Sequence, residues 1–95
     1  AFMLKDFSKI NEGIVIFEKL ECPRCNRALA FLLDNNIDFK AVNISESSLN
    51  NIIMWKILEE KGVTTKAINT PIFLVDGKIS HSHKNLAAFL ESLKE

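Results

Sequence analysis

Residues 14–33 read IVIFEKLECPRCNRALAFLL, and this stretch decides the architecture. Ile14-Val15-Ile16-Phe17 is a short run of β-branched and aromatic residues, the pattern of a strand covered on both faces, and it is expected at the centre of a sheet. From Arg24 onward, Cys25, Ala28, Leu29, Leu32 and Leu33 fall at i, i+3, i+4, i+7 and i+8, which is one face of an α-helix ending near Asn35-Asn36. Between strand and helix lies Cys22-Pro23-Arg24-Cys25. Pro23 suits the first helical turn, where its missing N–H is no loss, and this puts Cys22 at the N-cap.

Working outward, residues 38–43 place Phe39, Ala41 and Val42 among polar residues and read as a second strand. Strand, helix, strand implies a right-handed parallel unit. Residues 45–48 offer N-cap candidates for a second helix, with Leu49, Ile52, Ile53, Ile57 and Leu58 as its apolar stripe and Gly62 as its stop. Met54 and Trp55 lie off that stripe. Trp55 is expected to pack beneath the N-terminal residues, whose Phe2, Met3, Leu4 and Phe7 need cover; a partner surface is the other reading. Residues 71–75, Asp76-Gly77 and residues 78–80 carry a hairpin signal, because both turn residues tolerate positive φ. Leu86, Phe89, Leu90 and Leu93 make a third amphipathic helix, with Ser82 or Asn85 near its start. The expected order is βαβαββα, in one domain at residues 14–95 behind an extension at residues 1–13.

A hydrophobic share of 47% suffices for one packed core without staples. Twelve Lys/Arg balance twelve Asp/Glu and the charges are scattered, which argues against a broad footprint for nucleic acid or anionic membrane. The apolar runs at residues 14–17 and 71–75 are far shorter than the roughly 20 residues that span a bilayer. The first residues, AFMLKDFSKINEG, lack the charged start and apolar stretch of a secretory signal, so a cytoplasmic location is expected.

The two cysteines form one tight pair, unlike the dispersed framework of a disulfide-stapled secreted domain. At a helix N-terminus, free N–H groups and the positive end of the dipole favour a Cys22 thiolate over its thiol. Lys19 and Arg24 add positive charge nearby, while Glu18 and Glu21 oppose it. Cys25, one turn along on the inward face, lacks that field, yet one helical turn brings the two sulfurs within bridging range. The implied chemistry is attack by Cys22 on a disulfide, a mixed disulfide, and release by Cys25. Three duller readings share the spacing: a structural disulfide, half of a metal site, or two buried thiols. A four-ligand zinc site would draw on His81 and His83, which are otherwise solvated loop residues.

The strand IVIFE, Lys19 three positions before the motif, CPRC at 22–25, the tripeptide NTP at 69–71, FLVDGK at 73–78 and the closing LAAFLESL at 86–93 together resemble the glutaredoxin family of the thioredoxin superfamily. The resemblance implies an α/β, thioredoxin/glutaredoxin-like fold, with a four-stranded mixed sheet flanked by three helices. It also implies a cis Pro71 facing the cysteine pair, with the Thr70 backbone pairing with an extended thiol substrate. A substrate-binding role for Lys19 follows by family position, and one for Arg24 is expected from its charge beside Cys22.

By the same resemblance the activity is thiol–disulfide oxidoreduction of protein or glutathione-mixed disulfides. No resident cofactor or metal is expected, glutathione is a possible co-substrate, and the reductant is an unidentified thiol or flavoprotein; a monomer is expected. Two departures stand out. The family's Gly-Gly pair and following acidic residue, which take up a γ-glutamyl carboxylate, are replaced by Ser80-His81-Ser82-His83-Lys84-Asn85, where side chains could block the approach and Lys84 or a protonated histidine could attract an anion. The aromatic residue common inside the motif is replaced by Arg24, a cation suited to an acidic substrate. A rival reading from another class is a metal-binding or iron–sulfur carrier module of the same fold, and a third is an interaction module with little activity.

Overall fold

The computed structural model describes residues 12–64 and 68–94. Its elements are β1 (Ile14–Glu18), α1 (Pro23–Asp34), β2 (Lys40–Asn43), α2 (Ser48–Glu60), β3 (Ile72–Val75), β4 (Lys78–Ser80) and α3 (Leu86–Ser92). The sheet order is β2-β1-β3-β4, with β1 parallel to β2 and antiparallel to β3, and β4 antiparallel to β3. The expected βαβαββα order and four-stranded mixed sheet are therefore present.

Strand periodicity sorts the core into two layers. Val15, Phe17, Val42, Ile72 and Leu74 pack with Ile53, Met54, Ile57 and Leu58 of α2 on one face. Ile16 and Phe73 point the other way, toward Ala28 of α1 and Leu86 and Leu90 of α3. Because β1 and β3 are the inner strands, both their faces are covered, which is why IVIF and IFLV are continuous apolar runs.

The turns use the residues the chain provides. Asp76 (φ 48°) and Gly77 (φ 84°) both take the left-handed region in the β3–β4 hairpin, and the Asp76 side chain and N–H exchange hydrogen bonds with the main chain of Gly13, each 2.8 Å. Gly62 (φ 82°) closes α2 while Val63 N–H reaches back to the Leu58 carbonyl at 2.9 Å. Asn36 (φ 54°) does the same for α1.

Several expectations need correction. Leu33 is 65% exposed, because the buried face of α1 centres on Cys25, Ala28 and Leu32, and each step along a helix turns the side chain by about 100°. Leu49 and Ile52 are also exposed, whereas Met54 is buried and Trp55 is half-buried against the α2 side of the core. The buried stripe is rotated to Ile53, Met54, Ile57 and Leu58, and Asn50, at the same helical phase, donates Nδ2 to the Asn43 carbonyl at 3.0 Å. The second strand is shorter than expected and begins at Lys40. The extension expected to cover Trp55 lies mostly outside the described residues.

Candidate active site

Cys22 is the N-cap of α1. Its backbone is extended (φ −117°, ψ 98°), its carbonyl accepts from Asn26 N–H at 3.0 Å, and Pro23 opens the helix. Glu21 immediately before it sits at φ 55°, a left-handed conformation that costs a non-glycine residue roughly 1 kcal/mol and turns the chain from β1 into the cap. The capping acceptor is sulfur: Cys22 Sγ accepts the Cys25 N–H at 3.1 Å. The two cysteines are joined as a disulfide with Cα atoms 5.2 Å apart, within the usual span. Cys25 is fully buried, while Cys22 keeps 6% of its surface. One sulfur is reachable from outside and the other is not.

Thr70 approaches from the far side of the chain. Its Oγ1 is 3.4 Å and its carbonyl oxygen 3.8 Å from Cys22 Sγ, and the Thr70–Pro71 peptide is cis. In the reduced state the Cys22 thiol could donate to either oxygen. A cavity of about 290 Å³ opens at this point, lined by Lys19, Glu21, Cys22, Pro23, Arg24, Asn69 and Thr70. Lys19, Cys22, Arg24 and Thr70 are thus brought together from sequence-distant segments, while Cys25 and Pro71 lie behind them, buried.

The surroundings carry two perturbed groups. Glu18 closes β1, buried; burial, and then the like charge of Glu46, raise its carboxyl above the ordinary range. His83 is held below the usual histidine value by burial first, then by Arg24 and His81. Its placement corrects the reading of a solvated loop residue or available cation. The ring stacks on Phe89 (centroids 4.1 Å) and meets Phe73 edge-on (5.6 Å), while its carbonyl accepts a hydrogen bond from Arg24 Nη2. His81 instead pairs with Ser82 Oγ, so the two imidazoles have separate partners. Among the described residues no cluster of three or more His, Cys, Asp or Glu side chains converges as a metal site would require. Nothing in the spacing of residues 80–85 marked His83, since its partners come from β3, β4, α1 and α3.

The sequence pattern of the glutaredoxin family matches residues 14–78, from the first strand through the hairpin. This chain belongs to the glutaredoxin family. A relative described as a probable glutaredoxin, from Acanthamoeba polyphaga mimivirus, is 32% identical over 81 residues, covering 81% of this chain and 76% of its own. Two solved glutaredoxins share the fold. Glutaredoxin 1 of Francisella tularensis superposes with a TM-score of 0.64 at 18% identity, covering 86% of this chain and 94% of its own. The glutaredoxin of Archaeoglobus fulgidus superposes with a TM-score of 0.64 at 19% identity, covering 96% and 94%. With its CxxC pair joined at the start of α1, this glutaredoxin is a thiol–disulfide oxidoreductase. Among the described residues no helix is long and apolar enough to cross a membrane.

Proposed function

We propose that this glutaredoxin reduces protein or glutathione-mixed disulfides through Cys22 as the attacking thiol and Cys25 as the resolving one. The observation that carries this is the sulfur cap: Cys22 Sγ accepts a backbone N–H at the positive end of α1, where negative charge is favoured, and it borders the cavity. The Cys22 thiolate attacks one substrate sulfur; the new S–S bond forms as the old one breaks, and the other substrate sulfur leaves as a thiolate. Cys25 loses its proton and attacks Cys22, closing the intramolecular disulfide and releasing the reduced product. A thiol or flavoprotein reductant then returns two electrons to the pair.

The Thr70 main chain, held beside Cys22, is suited to pair with an extended substrate, with Pro71 fixing that edge. Lys19 and Arg24 supply positive charge at the cavity and suit a substrate with an acidic group near its disulfide. The turn at residues 81–85 contains no glycine, and Ser82 takes a positive φ of 55° while carrying a side chain. That supports weakened or altered glutathione use, and so a leaning toward protein disulfides. A monomeric protein in the cytoplasm, with no resident cofactor, completes the proposal.

The test is a trapping experiment. Cys25→Ser should accumulate a mixed disulfide through Cys22 when offered a disulfide-bonded protein, seen as a mass increase reversed by dithiothreitol. Cys22→Ser should accumulate none. Equal trapping by both variants would reverse or remove the assigned roles.

A further inference from the structure

The turn between β4 and α3 lacks regular secondary structure, yet separate contacts hold His83 within it. Its ring stacks on Phe89 of α3 with planes 27° apart, and it lies edge-on to Phe73 of β3, a fully buried residue. Its Nε2 is 2.6 Å from Ser80 Oγ on β4. The ring is thereby fastened to the core.

The main chain of the same residue has a second role. Its carbonyl accepts from the guanidinium of Arg24, which stands between the two cysteines and lines the cavity at Cys22. An arginine side chain has many rotamers, and one fixed acceptor selects among them. No side-chain substitution can delete a carbonyl, so its position follows the turn, and the turn follows the His83 ring. On the reading of the site as a disulfide-exchange centre, we infer that His83 is a positioning residue: its ring pins the 81–85 turn to the sheet, and its carbonyl holds the Arg24 guanidinium where an anionic group beside a substrate disulfide meets it. A residue 59 positions along the chain thus sets substrate preference.

The ring performs this role uncharged. Its Nδ1 is buried with no hydrogen-bond partner among the described residues, so a proton added there has no acceptor. The charged or titratable groups around it are Arg24 from α1 and His81 from the turn, while β3, β4 and α3 present Phe73, Ser80 and Phe89. Burial, Arg24 and His81 all oppose protonation. Acid that forces the proton on loosens the pin.

The test uses the reduced protein and two disulfide probes of matched length: sulfonatoethyl disulfide, which stays anionic throughout, and neutral hydroxyethyl disulfide. The ratio of their second-order rate constants measures preference and cancels changes in Cys22 itself. Wild type should favour the anionic probe, and Arg24→Met should lower that preference to the remainder that Lys19 supplies. His83→Ala should lower it about threefold to fivefold, the scale of an exposed charge contact, with the neutral-probe rate within about twofold of wild type. In the Arg24→Met background, His83→Ala should change nothing further, because the effect runs through the guanidinium. His83→Phe retains a stacking ring without a titratable nitrogen. It should keep the preference at neutral pH and also in acid, where wild type loses it.

The role is overturned if wild type shows no anionic preference, if His83→Ala slows both probes equally, or if it lowers the preference to the same extent in the Arg24→Met background. Should His83→Ala not fold, the acid arm decides, and a His83→Phe profile identical to wild type contradicts the proposal. Wild-type protein inert toward both probes overturns the exchange reading, and the positioning role with it.

Discussion

Helices α1 and α2 begin in the same way with different atoms. Ser47 caps α2 through Oγ, accepting the Leu49 N–H at 3.1 Å, and Cys22 caps α1 through Sγ, accepting the Cys25 N–H at 3.1 Å. Oxygen is the better acceptor, and serine is a preferred N-cap residue. A sulfur in that place gives up capping strength and receives in exchange an environment that favours its anion. At α2 the cap serves the helix; at α1 the helix serves the cap. The neighbours agree with this division, since Ser47 lies away from the cavity while Cys22 borders it with Lys19, Arg24 and Thr70.

The contrast breaks most sharply on exchanging the sulfur. Cys22→Ser should abolish disulfide reduction to the level of buffer thiols, while its melting temperature, read in acid where the Cys22 thiol is protonated and its anion adds no stability, stays at or above that of the reduced wild type, because serine caps at least as well. A large stability loss in this variant would show that the sulfur was needed for structure. Next in size is Cys25→Ser, which should form the mixed disulfide at a near-normal rate but fail to release it, so that single-turnover attack survives and steady-state turnover with a protein disulfide collapses. The oxygen caps should behave in the opposite sense. Ser47→Ala, and Asn85→Ala at the start of α3, where Oδ1 accepts the Ala88 N–H at 3.0 Å, should each remove about 1 kcal/mol. For a domain of this size that lowers the melting temperature by roughly 4–8 °C, and for Ser47→Ala, away from the cavity, kcat/KM should be unchanged.

The smallest effect concerns the carboxyl at the end of β1. Burial and Glu46 raise the Glu18 pKa in the fold, so the folded state binds its proton more tightly than the unfolded chain. Stability from this group is present below the unfolded value and lost as pH rises through the folded one. Glu18→Gln should therefore match wild type in acid and be the more stable protein at neutral pH, a difference read from urea midpoints across that window. His83 runs the other way: its lowered pKa means its contribution is lost as pH falls below the ordinary histidine range.

Much of this was legible in residues 14–33, because a strand, a proline at the first helical turn and a helical stripe are all local signals. Placing Cys22 at a cap required only Pro23 and the periodicity after it. The phase of α2 was not legible, because apolar residues lie on more than one side of it and the polar Asn50 shares the inward phase, its Nδ2 bonded to the Asn43 carbonyl. The meeting of Thr70 with Cys22 joins residues 48 positions apart and was carried by the family likeness alone. The Arg24 to His83 link was invisible for a related reason: its acceptor is a carbonyl, which every residue has, and only the packing of the imidazole between Phe73 and Phe89 gives that carbonyl a fixed place.

The most direct measurement is the pH dependence of iodoacetamide alkylation of the Cys25→Ser variant, in which Cys22 is the sole thiol. A sulfur stabilised by the N-terminal amides of α1 should titrate well below the free-cysteine value of about 8.5, with rapid alkylation already at neutral pH. A midpoint at about 8.5, with the helix intact by circular dichroism, would contradict the claim that this cap activates its sulfur.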